Sequence, residues 1–274
     1  MTFLDRLLAA GRRNRSLLCV GLDPDGRKLP TVVRAAADPT YTFCMAIVEA
    51  TADLVCAFKP NIAFFEALGP TGIETLRRLI ADMPRDVPVI LDAKRGDMGS
   101  TAEAYAEALF ERLGADAVTL NPYLGGDSLA PFLRHTDKGC IVLCKTSNPG
   151  SAELQELQLA SGIPLYMEVA RRARDDWNGN ANVGLVVGAT YPQVLAQVRA
   201  LCPDLALLVP GVGAQGGELA AATRAAADSS GERAIISASR SVLYAGDGAD
   251  FAEAARQEAL RLREAINAAI VQRI

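Results

Sequence analysis

Short aliphatic runs recur along the chain: 17–23 (LLCVGLD), 54–60 (LVCAFKP), 87–94 (VPVILDAK), 117–122 (AVTLNP), 140–146 (CIVLCKT), 183–190 (VGLVVGAT), 205–211 (LALLVPG) and 234–239 (AIISAS). Each is apolar at neighbouring positions, the pattern of parallel strands covered on both faces. Between them, 71–83 (TGIETLRRLIADM), 101–114 (TAEAYAEALFERLG) and 191–202 (YPQVLAQVRALC) space their apolar residues for helices. The second of these ends on Gly114, a C-cap residue. Segment 250–274 reads as a long, alanine-rich helix. Eight strands alternating with helices predict an α/β fold, a (β/α)₈ TIM barrel, with residues 1–274 as a single domain. A doubly wound open sheet would start from a glycine-rich turn, and GLDPDGRK is not one.

The first sixteen residues do not read as a targeting signal. Phe3, Leu4, Leu7 and Leu8 recur at helical spacing around Asp5 and Arg6, whereas a signal peptide places its basic residues before an unbroken apolar run. No apolar run spans a bilayer, so a cytoplasmic protein without membrane contact is expected. Half the residues are hydrophobic and the formal net charge is -4, which supplies a large core and argues against a nucleic-acid partner. Six cysteines lack metal-ligand spacing, and a chain of 274 residues needs no disulfides, so reduced, buried thiols are expected. His135, among charges in PFLRHTDKG, reads as a surface residue.

Polar residues gather where the predicted strands end: Asp23, Lys59, Asp92 with Lys94, Asn121, then Lys145 through Asn148, and finally Arg240. The C-terminal strand ends carry the active site in such barrels. In PVILDAKRGD (88–97), strand alternation aims Asp92 and Lys94 at the same space. The loops after strands seven and eight form the usual phosphate site. PGVGAQGG (210–217) supplies backbone N–H groups and Gln215, and Arg240 supplies a forked donor. No cluster suggests zinc. These features predict an enzyme for a small phosphorylated compound, with lysines and aspartates in its pocket and no evident cofactor. Spacing and composition do not name the reaction.

The motifs carry a resemblance. LDAKRGDMGST resembles the Asp-x-Lys-x-x-Asp signature of the orotidine 5'-phosphate decarboxylases, and GLDPD, FKPNIAFFE, KTSNPGS, PGVGAQGG and SASRS follow the same family, most like its longer bacterial form. The resemblance implies a lyase that converts orotidine 5'-monophosphate to uridine 5'-monophosphate and CO₂, the last step of de novo UMP biosynthesis, with no metal and no cofactor. It implies that Lys94 protonates C6 within a network of Lys59, Asp92, Lys94 and Asp97. It makes Asp23 and Lys59 ribose ligands, Ser147 a pyrimidine contact, Gln215 and Arg240 phosphate ligands, and Pro210 a pocket wall beside a closing loop. A homodimer is implied, with Asp97 and Thr101 reaching the partner's site. Met98 stands where isoleucine is expected, a swap of similar volume, and segments 24–41 and 148–163 look longer than in compact relatives. Metal-dependent decarboxylases and aldolases of sugar phosphates share the signature on the same barrel, but Lys59 would repel their cation. A non-catalytic nucleotide sensor would keep the phosphate ligands without needing the charge network.

Overall fold

The computed structural model describes residues 1–211 and 216–271. Among them, eight strands form one parallel sheet: β1 (Leu18–Leu22), β2 (Ala57–Pro60), β3 (Ile90–Arg95), β4 (Ala117–Leu120), β5 (Gly139–Lys145), β6 (Val183–Val187), β7 (Ala206–Pro210) and β8 (Ala234–Ala238). The sheet runs β2-β1-β8-β7-β6-β5-β4-β3. Its two ends meet through isolated parallel bridges, Phe58 with Val89 and Asn61 with Asp92, which close the barrel. Each expected strand is present, most of them shorter than expected, with β5 displaced by one residue and β3 running one residue further. β2 begins only at Ala57, because Ala52–Leu54 forms a 3₁₀ turn first. β3 begins after Pro88, which has no N–H to give a ladder.

The double-sided apolar pattern resolves into two cores. Outward-facing residues such as Val20, Leu91, Val118 and Leu207 pack under the helices. Inward-facing Cys19, Ala57, Ile90, Ala117, Ile141, Val186, Leu208 and Ile235 fill the barrel. One pleat higher, two residues along several of the same strands, the inward positions turn polar: Lys59, Asp92, Thr119 and Ser237. The alternation that packs the barrel thus also delivers the site.

The lower end is plugged. The helix Phe3–Asn14 starts with a reciprocal cap between Thr2 and Asp5 and buries Phe3 and Leu7 against the inner core. Gly139 makes room for the plug, since a Cβ there would collide with the Phe3 ring. The Phe3 N–H donates to Asp137 O at 2.8 Å, and Arg6 pairs with Asp116. The expected helix at 101–114 begins earlier as Gly99–Ala106 and continues as a π-helix, Glu107–Arg112, before Gly114 leaves it at φ +78°. All six cysteines are free and buried, and burial pushes the Cys19 thiol up to about 12. His135 is half-buried, its ring 5.0 Å from that of Phe110. No helix of the described residues is long and apolar enough to cross a membrane.

The plug yields a stability prediction. Phe3→Ala should lower the unfolding free energy by about 3 kcal/mol, because it opens a cavity beneath the barrel. Urea denaturation measures this, and a loss below about 1 kcal/mol would show the plug to be dispensable.

Candidate active site

At the upper end, Asp92 accepts from two ammonium groups. Lys59 Nζ reaches Oδ2 at 2.9 Å and Lys94 Nζ reaches Oδ1 at 2.5 Å. The Lys59 and Asp92 side chains are nearly buried (6% and 12% exposed), whereas that of Lys94 is half open to solvent (49%). Burial would raise the Asp92 carboxyl, but Lys59 and then Lys94 outweigh it and hold it at about 2. Burial likewise opposes the Lys59 charge. Asp92 and then Asp23 overcome it, and the ammonium is held above its ordinary value.

Asp92 and Lys94 meet as alternation predicts, but not through a continued pleat. Lys94 has φ +48°, the left-handed region that non-glycine residues seldom occupy. The β3–β4 register jumps here, from Leu91 opposite Val118 to Arg95 opposite Leu120. The strand end is therefore a turn that folds the Lys94 amine back over Asp92.

Asp23 completes the next wall. Its Oδ2 accepts from Ser239 Oγ at 2.6 Å, while Oδ1 is buried with no partner among the described residues. Gly21 permits this contact, because a Cβ there would lie 2.8 Å from Ser239 Cβ. Asp23, Lys59, Asp92, Pro210, Ser239 and Arg240 line a cavity of about 610 Å³. Arg240 is exposed, and its guanidinium has no partner among the described residues. Ser147 is half-buried beside Gly211, whose absent Cβ would stand 3.3 Å from Ser147 Oγ; Gly211 itself turns at φ +86°. An orphaned carboxylate oxygen, a free guanidinium and a charged wall suit a ligand with hydroxyls, an anionic group and a reacting centre near Lys94.

Other expected residues fall elsewhere. Asp97 Oδ1 accepts from the Met98 N–H at 2.8 Å, and Thr101 is exposed. Neither joins the Lys59–Asp92–Lys94 network within this chain. Gln215 lies outside the described residues. Lys145, expected on the rim, is fully buried, with Nζ 2.5 Å from Ser151 Oγ and 3.1 Å from Glu156. A register shift between Leu143 and Lys145 breaks the alternation that would have aimed it inward. Conversely, Thr119 escaped the sequence reading because it sits in an apolar run, and Ser237 and Ser239 entered it only within the SASRS motif, without a role. Counting by twos from Ala117 and Ile235 finds them. Among the described residues no group of three or more His, Cys, Asp and Glu could hold a metal ion.

A family model described as "Orotidine 5'-phosphate decarboxylase / HUMPS family" matches residues 16–255. The chain belongs to this family. An orotidine 5'-phosphate decarboxylase from Roseiflexus sp. (strain RS-1) is 60% identical over 273 residues, covering all of both chains, and one from Herpetosiphon aurantiacus is 54% identical over 94% of this chain and 95% of its own. Among solved structures, the Leishmania donovani OMP decarboxylase superposes with a TM-score of 0.87 at 44% identity, covering 99% of each chain. The segment matched to the orotidine 5'-phosphate decarboxylase family contains all eight strands and every cavity residue, so the likeness covers the site as well as the barrel.

The Asp92 carboxyl lies at about 2 when folded, below its ordinary 3.8. Its stabilising contribution is therefore complete above about pH 4 and is lost as the pH falls through about 2. The shift corresponds to about 2 kcal/mol. Urea unfolding at several acidic pH values should show the stability advantage over Asp92→Asn shrinking by that amount across this window. An advantage that stays constant would detach the effect from this carboxylate.

Proposed function

We propose that the protein decarboxylates orotidine 5'-monophosphate to uridine 5'-monophosphate and CO₂ without a metal or organic cofactor, as the last step of UMP biosynthesis in the cytoplasm. Residues 1–274 are read as one catalytic domain, since its strands run from Leu18 to Ala238 and a helix to Val271 returns over the barrel. The observation that carries the reading is the Lys59–Asp92 pair on the wall of a cavity also lined by Arg240, with Lys94 on the same Asp92 carboxylate. Full-length identity of 60% to a protein named for this activity supports it.

In this reading Arg240, with Gln215, grips the phosphate, and Pro210 forms the wall beside it. Asp23, through its unpaired Oδ1, and Lys59 take the ribose hydroxyls, while Ser147 contacts the pyrimidine. The base then lies with C6 near Lys94 and its carboxylate near Asp92. The bond from C6 to the carboxylate breaks, the electron pair stays on C6, and CO₂ leaves. The Lys94 ammonium stabilises the charge developing at C6 and transfers its proton there, leaving an amine that water reprotonates. A divalent cation would find both oxygens of Asp92 already held by ammonium groups.

The purified protein should convert orotidine 5'-monophosphate in the presence of EDTA, followed by pyrimidine absorbance. Lys94→Ala should lower kcat by about 10²-fold or more, the scale of a lost general acid. Activity that appears only when Mg²⁺ is restored would favour the metal-dependent relatives, and binding without turnover would favour a sensor.

The homodimer rests on the surface around Asp97. Arg95 pairs with Glu66, and Gly96 packs on Asn121, which brings exposed Leu68, Met98, Tyr123 and Leu124 to the same rim. A second subunit covering these residues would carry Asp97 and Thr101 to its neighbour's cavity. Lys94→Ala and Asp97→Ala proteins should each be inactive alone. When the two are unfolded and refolded together, about a quarter of wild-type activity should return, since half the dimers are mixed and each has one intact site. No return would place Asp97 in its own chain's site.

A further inference from the structure

We propose that Thr119 is a positioning residue for the decarboxylation, holding Lys94 in its left-handed turn and aiming Asp92 with one hydroxyl. This rests on the reading of Lys94 as proton donor. Thr119 is 1% exposed and stands in β4, directly beneath the place where β3 leaves its regular ladder. Between Leu91 and Arg95 three residues of β3 face it alone, because the pairing resumes at Leu120. The Ala93 N–H donates to Thr119 Oγ1 at 3.0 Å, and the Lys94 N–H donates to the same oxygen at 2.9 Å. Thr119 Oγ1 in turn donates to Asp92 Oδ1 at 3.0 Å.

A hydroxyl has one proton and two lone pairs. Here two N–H groups occupy the lone pairs, so the proton points at Asp92, which receives it as a charged carboxylate. The same oxygen therefore fixes the backbone of Lys94 and the side chain that its amine touches. Among the described residues no other side chain bonds both the Lys94 backbone and the Asp92 carboxylate. A displaced turn would move the Lys94 amine relative to C6 while leaving the phosphate and ribose contacts in place. Valine has the shape of threonine without these bonds, and serine has the bonds without the methyl.

The test compares Thr119→Val, Thr119→Ser and Thr119→Cys in the full-length protein. Thr119→Val should lower kcat about 10- to 100-fold, the cost of small misplacements of reacting groups. Binding of uridine 5'-monophosphate should stay within about threefold, because product binding does not require proton delivery. Thr119→Ser should stay within about threefold of wild type in kcat. Thr119→Cys should lose turnover that Thr119→Ser keeps, since a thiol is a weak donor and acceptor, and this comparison decides the matter should Thr119→Val fail to fold. Turnover of a folded Thr119→Val near wild type, or equal behaviour of the Ser and Cys proteins, would overturn the proposal. Lys94→Ala is measured alongside. If it remains active the underlying reading of Lys94 fails, whereas an inactive Lys94→Ala with a fully active Thr119→Val defeats the role of Thr119 alone.

Discussion

The Lys59–Asp92 ion pair crosses the weakest seam of the barrel. Seven of the eight strand junctions are paired ladders, two of them with a register shift, whereas β2 and β3 meet only through isolated bridges. Lys59 belongs to one side of that seam and Asp92 to the other. A nearly buried lysine without its anion is costly, so each charge holds the other in the wall. Lys94 shares the same carboxylate, and its amine thereby takes its place from a contact that also closes the sheet.

The two ends of the barrel divide their tasks. Below, Phe3 and Leu7 seal an aliphatic interior, and the charges around them serve to fasten the first helix. Above, the inward positions hold ionised and hydroxyl groups that would be unfavourable in a sealed core unless each had a partner. Most do, and the exceptions are informative. Among the described residues, Asp23 Oδ1 is buried without a partner and the exposed Arg240 guanidinium on the same cavity has none, which leaves both for a ligand. The same strands serve both ends because successive inward positions lie one pleat apart.

Much of this was legible in the sequence. The eight aliphatic runs became strands because buried parallel strands need apolar residues on both faces, and the strand-end residues Asp23, Lys59, Asp92 and Arg240 came to one cavity by barrel geometry. Alternation put Asp92 and Lys94 together for a reason that was only partly right, since a left-handed residue makes the final approach. Lys145 misled because a register shift is not written in the hydrophobic pattern. Thr119 was hidden inside an apolar run, where its hydroxyl reads as one more β-branched residue. Asp97 and Thr101 stay outside the Lys59–Asp92–Lys94 network because they lie beyond the end of β3, where strand alternation no longer sets direction.

The conformation of Lys94 sets folding and reaction against each other at one position. Glycine would take φ +48° with less steric penalty than any side chain. A chain selected only for how well it folds would drift toward glycine there and would also shed a charge from the rim. In the proposed reaction, a chain selected for turnover must keep the ammonium and tolerate the backbone. On the proposed role of Lys94, position 94 separates a chain kept for turnover from one kept for stability alone.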